Sequence, residues 1–255
     1  MTLLKLVIRF FSLRGKDMKW SQATETGRVR QQNEDNFCIC PDIGLFALAD
    51  GMGGHQAGEI ASRLATQKLA DFIQTHLELY SDQETLLTSG IQEINHQIYL
   101  ISQQNKRYRG MGTTLTAALI QNNHLYLAHI GDSRLYLIRQ EQIKQLTEDH
   151  TVVQNLVTGG TISADQARTH PKRHILTRAL GVDLNVEADI SKITLRTQDK
   201  ILLCTDGLTN HVTLEEIHHL VSNATEVKQA VHSLTKMALE RGGADNITVI
   251  LVAVD

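Results

Sequence analysis

Residues 45–51 read LFALADG, an apolar run that ends in a carboxylate and a glycine. Five consecutive apolar residues bounded by turn residues are typical of a strand that is buried on both faces. The Asp-Gly pair that follows is also the usual composition of a tight turn. The stretch therefore predicts a core strand that leaves the core at Asp50.

Apolar runs of strand length, bounded by turn residues, recur along the chain. They occupy residues 37–40, 114–120, 125–130, 135–138, 201–204 and 247–254. Helical periodicity is found in two adjacent pairs of segments, residues 60–77 with 87–101 and residues 217–221 with 227–237. Helices that come in pairs do not supply the alternating crossovers of a parallel sheet. The order of segments therefore predicts an α+β layered sandwich, in which helix pairs cover antiparallel sheets.

Charge and cysteine content narrow the class of protein. The 255 residues include 25 Lys or Arg and 28 Asp or Glu, a formal net charge of −3, so we predict no nucleic-acid partner. The three cysteines, Cys38, Cys40 and Cys204, are an odd and sparse set that favours reduced thiols in a cytoplasmic protein. The apolar residues 3–11 are about half of the ~20 residues that a membrane span needs and lack a cleavage site, so neither a span nor a signal peptide is predicted.

Two segments fall outside the layered pattern. Residues 1–18 are predicted to be an N-terminal extension outside the core, which leaves residues 19–255 as one domain. Residues 150–181, called the flap below, are polar and weakly periodic, and they predict an insertion of short helices. No surplus apolar helix face or heptad repeat calls for a second subunit, so a monomer is predicted.

Acidic residues stand at the ends of predicted strands, beside or near glycine. They are Asp50, Asp132, Asp206 and Asp245. Each alone has turn composition, but strands that deliver carboxylates to one edge of a sheet concentrate negative charge, which raises the pKa of each group unless a cation compensates. Hard oxygen ligands favour Mg²⁺ or Mn²⁺, and paired divalent ions can activate water and clamp phosphoryl oxygens. Arg30 is a candidate for binding such a phosphate, because arginine binds it in a bidentate manner.

Short motifs around these residues resemble, in order and spacing, the metal-dependent protein phosphatase family, protein phosphatase 2C, in its compact bacterial form. The motifs read RQQNED at 30–35, DGMGGH at 50–55, GTT at 112–114, GDSR at 131–134, DH at 149–150, TDGL at 205–208 and GADNIT at 243–248. The resemblance implies a four-layer α/β/β/α sandwich, two antiparallel sheets packed face to face with a helix pair outside each. It also implies hydrolysis of phosphoserine and phosphothreonine in proteins by a metal-activated water, without a phospho-enzyme.

The same resemblance implies a cofactor of two tightly bound Mn²⁺ or Mg²⁺ ions and a third, weaker one. The implied metal ligands are Asp50, the Gly51 carbonyl, Asp206, Asp245 and, for the third ion, Asp132. Arg30 would bind the substrate phosphate, and Glu34 would orient the metal-bound water. His55 would lie near the cleft, and the implied supporting residues are Asp35 and Asn246. Met52 stands where many eukaryotic members carry a histidine that protonates the leaving group, so the general acid has no candidate.

Two other functions remain open at the level of sequence. A catalytically silent member of the family would bind phosphoproteins without hydrolysing them, although the positions of the metal ligands are intact. A metallo-hydrolase acting on small phosphate esters would carry the same motifs. The expected partners are phosphoproteins, but the sequence does not specify which ones, and the flap is the expected place for substrate choice.

Overall fold

Residues 18–53 and 57–254 of the chain are described by a computed structural model. The strands in this part of the chain are β1 Met18–Glu25, β2 Asp35–Cys40, β3 Leu45–Met52, β4 Gly112–Thr113, β5 Leu115–Gln121, β6 His124–Ile130, β7 Arg134–Arg139, β8 Gln142–Gln145, β9 Asp189–Thr194, β10 Lys200–Cys204 and β11 Ile247–Val254. The α-helices are α1 Ala57–His76, α2 Gln83–Gln104, α3 Val152–Thr158, α4 Ala164–Thr169, α5 Asp206–Thr209, α6 Leu214–Asn223 and α7 Val227–Glu240. The 3-10 helices are Pro41–Ile43 and Lys106–Tyr108.

The strands form two antiparallel sheets. Sheet 1 has the order β1-β11-β10-β7-β8, and sheet 2 has the order β2-β3-β5-β6-β9 with the short β4 paired to β3. Strands β5 and β6 follow each other in sequence and are joined by a tight turn. Strand β11, by contrast, lies between β10 and β1, and β1 is more than 200 residues earlier in the sequence. The prediction of antiparallel sheets is confirmed.

The side chains of strand β3 show why helices and sheets stack in four layers. Successive side chains of a strand point to opposite faces. Leu45 and Ala47 pack with buried residues of α1 and α2, while Phe46 and Leu48 pack between the two sheets, and all are fully buried. A third apolar layer lies between sheet 1 and the helices α6 and α7. The order is therefore helices, sheet, sheet, helices, and the α/β/β/α sandwich is confirmed.

The flap contains the short helices that its composition predicts. Thr151 accepts a hydrogen bond at the start of α3, and Ser163 and Gln166 form a capping box at the start of α4. The flap is tied to the body of the protein at both ends, because His150 N–H donates to the Gly131 carbonyl (2.7 Å) and Leu180 forms a bridge to Thr113. Within the flap, Thr151 forms a bridge to Leu176. None of the helices in residues 18–53 and 57–254 has the length and apolar character that crossing a bilayer would require.

Candidate active site

Asp50 lies at the end of β3, where the two sheets meet. Its backbone is fixed by the Gly-Thr-Thr motif: the Thr114 hydroxyl accepts from Asp50 N–H (2.8 Å), and the Thr113 hydroxyl donates to the Asp50 carbonyl (2.9 Å). Thr114 N–H donates to the same carbonyl (2.9 Å). Two threonines of a neighbouring segment therefore set the position of this carboxylate.

Asp35 stands directly opposite Asp50 in the antiparallel pairing of β2 and β3. Its carboxylate reaches across to sheet 1 and accepts from the hydroxyls of Thr248 (2.7 Å) and Thr205 (3.0 Å). Burial raises the pKa of Asp35 to about 7, and the two hydroxyls oppose the rise. Asp35 thus joins the two sheets beneath Asp50, a supporting position like the one the resemblance implies.

Gly51 lies where three segments approach closely. Its N–H donates to the Glu34 carbonyl (3.1 Å), and a Cβ at this position would collide with the backbone oxygens of Gly58 and Glu34. Gly58, at the start of α1, is also crowded, though less tightly, by the Glu34 side chain and the Gly51 backbone. Only glycine lets β3, the start of α1 and the segment before β2 come together here.

Asp132 lies in the turn between β6 and β7. The turn is linked to Asp50 through the Ser133 hydroxyl, which lies 2.9 Å from the Thr114 hydroxyl. Burial, followed by the charges of Asp206 and Asp149, raises the pKa of Asp132 to about 8.

Asp206 is the first residue of the single-turn helix α5, directly after β10. Its Oδ1 is buried and has no hydrogen-bond partner, and its Oδ2 accepts from the Asn210 amide (3.2 Å). The next residue, Gly207, has no room for a Cβ, which would overlap the Asn246 carbonyl. This contact sets Asp206 close to the Asp245-Asn246 pair.

Asp245 precedes β11 and forms an ion pair with Arg30, whose Nη2 lies 2.8 Å from Asp245 Oδ2. The Arg30 side chain is half exposed, at 52%. Asn246 holds the segment that carries Arg30: its amide donates to the carbonyls of Thr26 and Gln32, and its Oδ1 accepts from Glu34 N–H, all at 2.9 Å. Asn246 therefore positions the residues around Arg30, and its N–H also donates to Asp245 Oδ1 (2.9 Å).

Glu34 lies against Gly58, half-buried. Its pKa is raised, chiefly by burial and against the attraction of Arg30. His55, the remaining residue with an implied role, lies outside the described residues, and nothing in the structure bears on it.

The carboxylates act on one another strongly. Burial first, and then the charges of Asp35, Asp206, Asp132 and Asp245, raise the pKa of Asp50 well above its ordinary value. Residues 18–53 and 57–254 contain no ready-made cage of three His, Cys, Asp or Glu side chains around a metal position. In the structure, the charge of Asp245 is balanced by Arg30. Carboxylates that repel one another, together with the unpaired buried Oδ1 of Asp206, fit a divalent cation that keeps several waters and takes few protein ligands.

The flap contributes a residue that the motifs do not reveal. His174 Nδ1 lies 3.6 Å from Asp206 Oδ2, and this contact is the main cause of the raised pKa of His174. No periodicity marks residues 170–178, so the contact is visible only in three dimensions. It places the flap beside the carboxylate cluster.

The structure also shows what two residues of the motifs without an implied role, Arg134 and His150, contact. Arg134 of the Gly-Asp-Ser-Arg motif donates to both oxygens of Asp149, at 2.9 and 2.6 Å, and so joins the two motifs. His150 accepts from Gly131 N–H (3.1 Å) and contacts Asp189 on β9 (3.1 Å). These residues brace the turn of Asp132 against the start of the flap.

Solved structures with this fold identify a class of enzyme. Staphylococcus aureus Stp1, a serine/threonine phosphatase, aligns with a TM-score of 0.88 and 36% identity over 98% of this chain and 100% of its own. The catalytic domain of the serine/threonine protein phosphatase PstP, solved with two manganese ions, aligns with a TM-score of 0.85 and 38% identity over 94% of this chain and 99% of its own. The class defined by this fold is the serine/threonine phosphatases.

The family follows from the sequence. The model of the protein phosphatase 2C family matches residues 24–246, and the chain therefore belongs to that family. The serine/threonine phosphatase stp of Listeria monocytogenes is 40% identical over 237 residues, which are 91% of this chain and 94% of the relative. The protein phosphatase PhpP of Streptococcus pneumoniae is 35% identical over 93% of this chain and 98% of the relative. The recognition made from the motifs is confirmed.

Proposed function

We propose that the protein is a serine/threonine phosphatase that hydrolyses phosphoserine and phosphothreonine in proteins with the help of Mn²⁺ or Mg²⁺. The observation that carries this proposal is the carboxylate cluster around Asp50, which is electrostatically costly without a cation. It lies in a fold whose solved relatives are serine/threonine phosphatases, one of them with two manganese ions.

Asp50, the Gly51 carbonyl, Asp206 and Asp245 are the groups that would hold the two tighter ions. Asp132 and Asp206 would hold the third. Bound divalent ions lower the pKa of coordinated water and neutralise phosphoryl oxygens. The threonines at 113 and 114 hold the Asp50 backbone, and Asp35 joins the two sheets beside it, so that the backbone of the site is set before substrate arrives.

Arg30 would bind the phosphate of the substrate. In the structure its guanidinium pairs with Asp245, but half of the side chain is exposed and it lines an open cavity. If Asp245 held a cation, the Arg30 guanidinium would be free for a bidentate contact with phosphate oxygens. Glu34, whose N–H donates to Asn246, would orient a water beside the cluster.

The test is hydrolysis of a phosphothreonine peptide with Mn²⁺, with chelator, and by the variants Asp206→Ala and Asp132→Ala. We expect hydrolysis with Mn²⁺ only, no activity in Asp206→Ala, and reduced turnover at low Mn²⁺ in Asp132→Ala. Asp165→Ala, which removes a nearly fully exposed carboxylate of α4, is the matched control and keeps full activity. Binding of the peptide without hydrolysis in Mn²⁺ would favour the silent phosphoprotein binder instead.

A second comparison separates protein substrates from small phosphate esters. The phosphothreonine peptide should be hydrolysed with higher kcat/KM than nucleotides or sugar phosphates, and a strong preference for the small esters would reverse the proposal. We further propose that the protein acts as a monomer in the cytoplasm. Its three cysteines are free thiols, which supports a reducing compartment.

A further inference from the structure

An open cavity of about 860 Å³ lies beside the candidate active site. Arg30 and Glu34 line one side of it, and Lys106, Arg107 and Tyr108 of the 3-10 helix after α2 line another. Arg30 is therefore shared between the carboxylate cluster and the cavity. If the phosphate of a ligand contacts Arg30, the rest of that ligand lies in or along the cavity.

The cavity is markedly basic in an acidic protein. Lys106 and Arg107 are exposed, and within residues 18–53 and 57–254 neither forms an ion pair. Arginines elsewhere in the structure, such as Arg139 and Arg241, pair with carboxylates. Among the described residues that line the cavity, three side chains are cationic and one is a carboxylate, while the chain as a whole carries a formal net charge of −3. Lys106 and Arg107, which have no ion-pair partner among the described residues, therefore make this concave surface attractive to anionic ligands.

The two cationic side chains extend from an ordered backbone. The Asn105 side chain accepts from Arg107 N–H (3.0 Å), and the Asn105 carbonyl accepts from Tyr108 N–H (2.9 Å). Met111 N–H then donates to the Tyr108 carbonyl (3.0 Å), and Met111 itself is fully buried in the core. The turn that presents Lys106 and Arg107 is thus anchored on both sides.

The size of the cavity fits a short stretch of peptide. A cube of 860 Å³ has an edge of about 9.5 Å, which is the length of roughly three residues of extended chain. A phosphorylated residue held at Arg30 therefore places the next residues of the same peptide within reach of Lys106 and Arg107.

We propose that Lys106 and Arg107 bind acidic side chains that flank the phosphorylated residue of the substrate, so that the enzyme prefers phosphoproteins with an acidic segment on one side of the phosphosite. This inference rests on the proposed function, and it assigns a substrate class to the same site. The preference arises from charge complementarity between the cavity and the peptide, which also speeds encounter.

The experiment compares kcat/KM for three phosphothreonine peptides that differ only in their flanking residues, which are glutamate, glutamine or lysine. p-Nitrophenyl phosphate, which has no flanking residues, is the fourth substrate. The test variant is Lys106→Ala/Arg107→Ala. The control variant is Lys144→Ala/Lys228→Ala, which removes the same charge from exposed positions on β8 and α7.

We expect the wild-type protein to prefer the glutamate peptide over the glutamine peptide by about tenfold, the size expected of two partly screened charge contacts. The test variant should lose this preference and keep its activity on p-nitrophenyl phosphate, while the control variant behaves as wild type. The preference should also shrink at high salt. The charge reversal Lys106→Glu/Arg107→Glu should shift the preference to the lysine peptide.

Equal kcat/KM of the wild-type protein for all three peptides would overturn this inference and leave the proposed function standing. So would a preference for glutamate that survives in the test variant, or an equal loss of activity on p-nitrophenyl phosphate. Failure of the wild-type protein to hydrolyse any of the peptides in Mn²⁺ is a different result, which overturns the proposed function and the inference together.

Discussion

His129 makes the folded protein sensitive to acid. Its ring is completely buried on β6, Nε2 donates to the Glu148 carbonyl (3.0 Å), and Nδ1 lies 2.9 Å from the Thr116 hydroxyl. The ring of His150 lies 4.8 Å away. Burial, together with the charge of His150, lowers the pKa of His129 from 6.5 to about 4. The folded chain therefore holds this imidazole neutral across the pH range in which the unfolded chain protonates it.

The size of the effect follows from the two pKa values. Below pH 6.5 the His129 ring is protonated in the unfolded state but not in the folded state. The free energy of unfolding therefore falls as the pH falls. The loss from His129 is negligible at pH 7.5, about 1 kcal/mol at pH 5.5, and approaches a limit of about 3 kcal/mol below pH 4.

The assay is urea unfolding of wild type and His129→Asn at pH 7.5 and 5.5, in chelator so that metal binding does not contribute. Carboxylates whose pKa is raised are common to both proteins and cancel in the comparison. Between these pH values wild type should lose about 1 kcal/mol more than the variant. The control His232→Asn replaces an exposed histidine of α7 and should follow wild type. Equal losses in wild type and His129→Asn, or an NMR titration of the folded His129 ring near pH 6.5, would refute the argument.

Two further predictions concern stability. Gly51→Ala should destabilise the protein by about 3 kcal/mol, because the new Cβ meets the backbone oxygens of Gly58 and Glu34; Gly159→Ala in the flap, measured alongside by urea unfolding, should cost much less. Arg139→Leu should cost about 3 kcal/mol, since the buried Asp199 carboxylate loses its two contacts with the guanidinium (2.8 and 2.6 Å) and keeps only the hydrogen bond from Arg196 N–H. The double variant Arg139→Leu/Asp199→Asn should recover part of the loss, and no recovery would mean that the charge of Asp199 is not the cause.

Core strands and long helices could be predicted from the sequence because buried positions are apolar and recur with the period of the strand or helix. Strand β3 is apolar on both faces since it lies between α1 and the other sheet. The edge strands β1 and β9 were not predicted. Every residue of β1 is at least partly exposed, and β9 interrupts its alternation with charged residues. An edge strand pairs on one side only, so it needs no apolar run.

Some features of the candidate site could likewise be predicted from the sequence, and others could not. The aspartates at strand ends could be selected from sequence because a strand end next to glycine is a local feature. The contacts that join distant segments could not: the pair of Arg134 and Asp149 spans 15 residues, and Asn246 holds Glu34 from 212 residues away. His174 reaches Asp206 only through the path of the flap, which has no periodic signal. The identity of the site residues was thus predictable, but the distant residues that contact them were not.

The position of β11 has a consequence for synthesis on the ribosome. This strand lies between β1 and β10, so sheet 1 stays divided until residues 247–254 have left the exit tunnel. Asp245 arrives just ahead of them, more than 200 residues after Arg30, its partner. Pairing between such distant segments is slow compared with local folding. Translation therefore yields a partly formed α1–α2 half first, and the site that would bind phosphate is completed only once β11 has paired with β1 and β10.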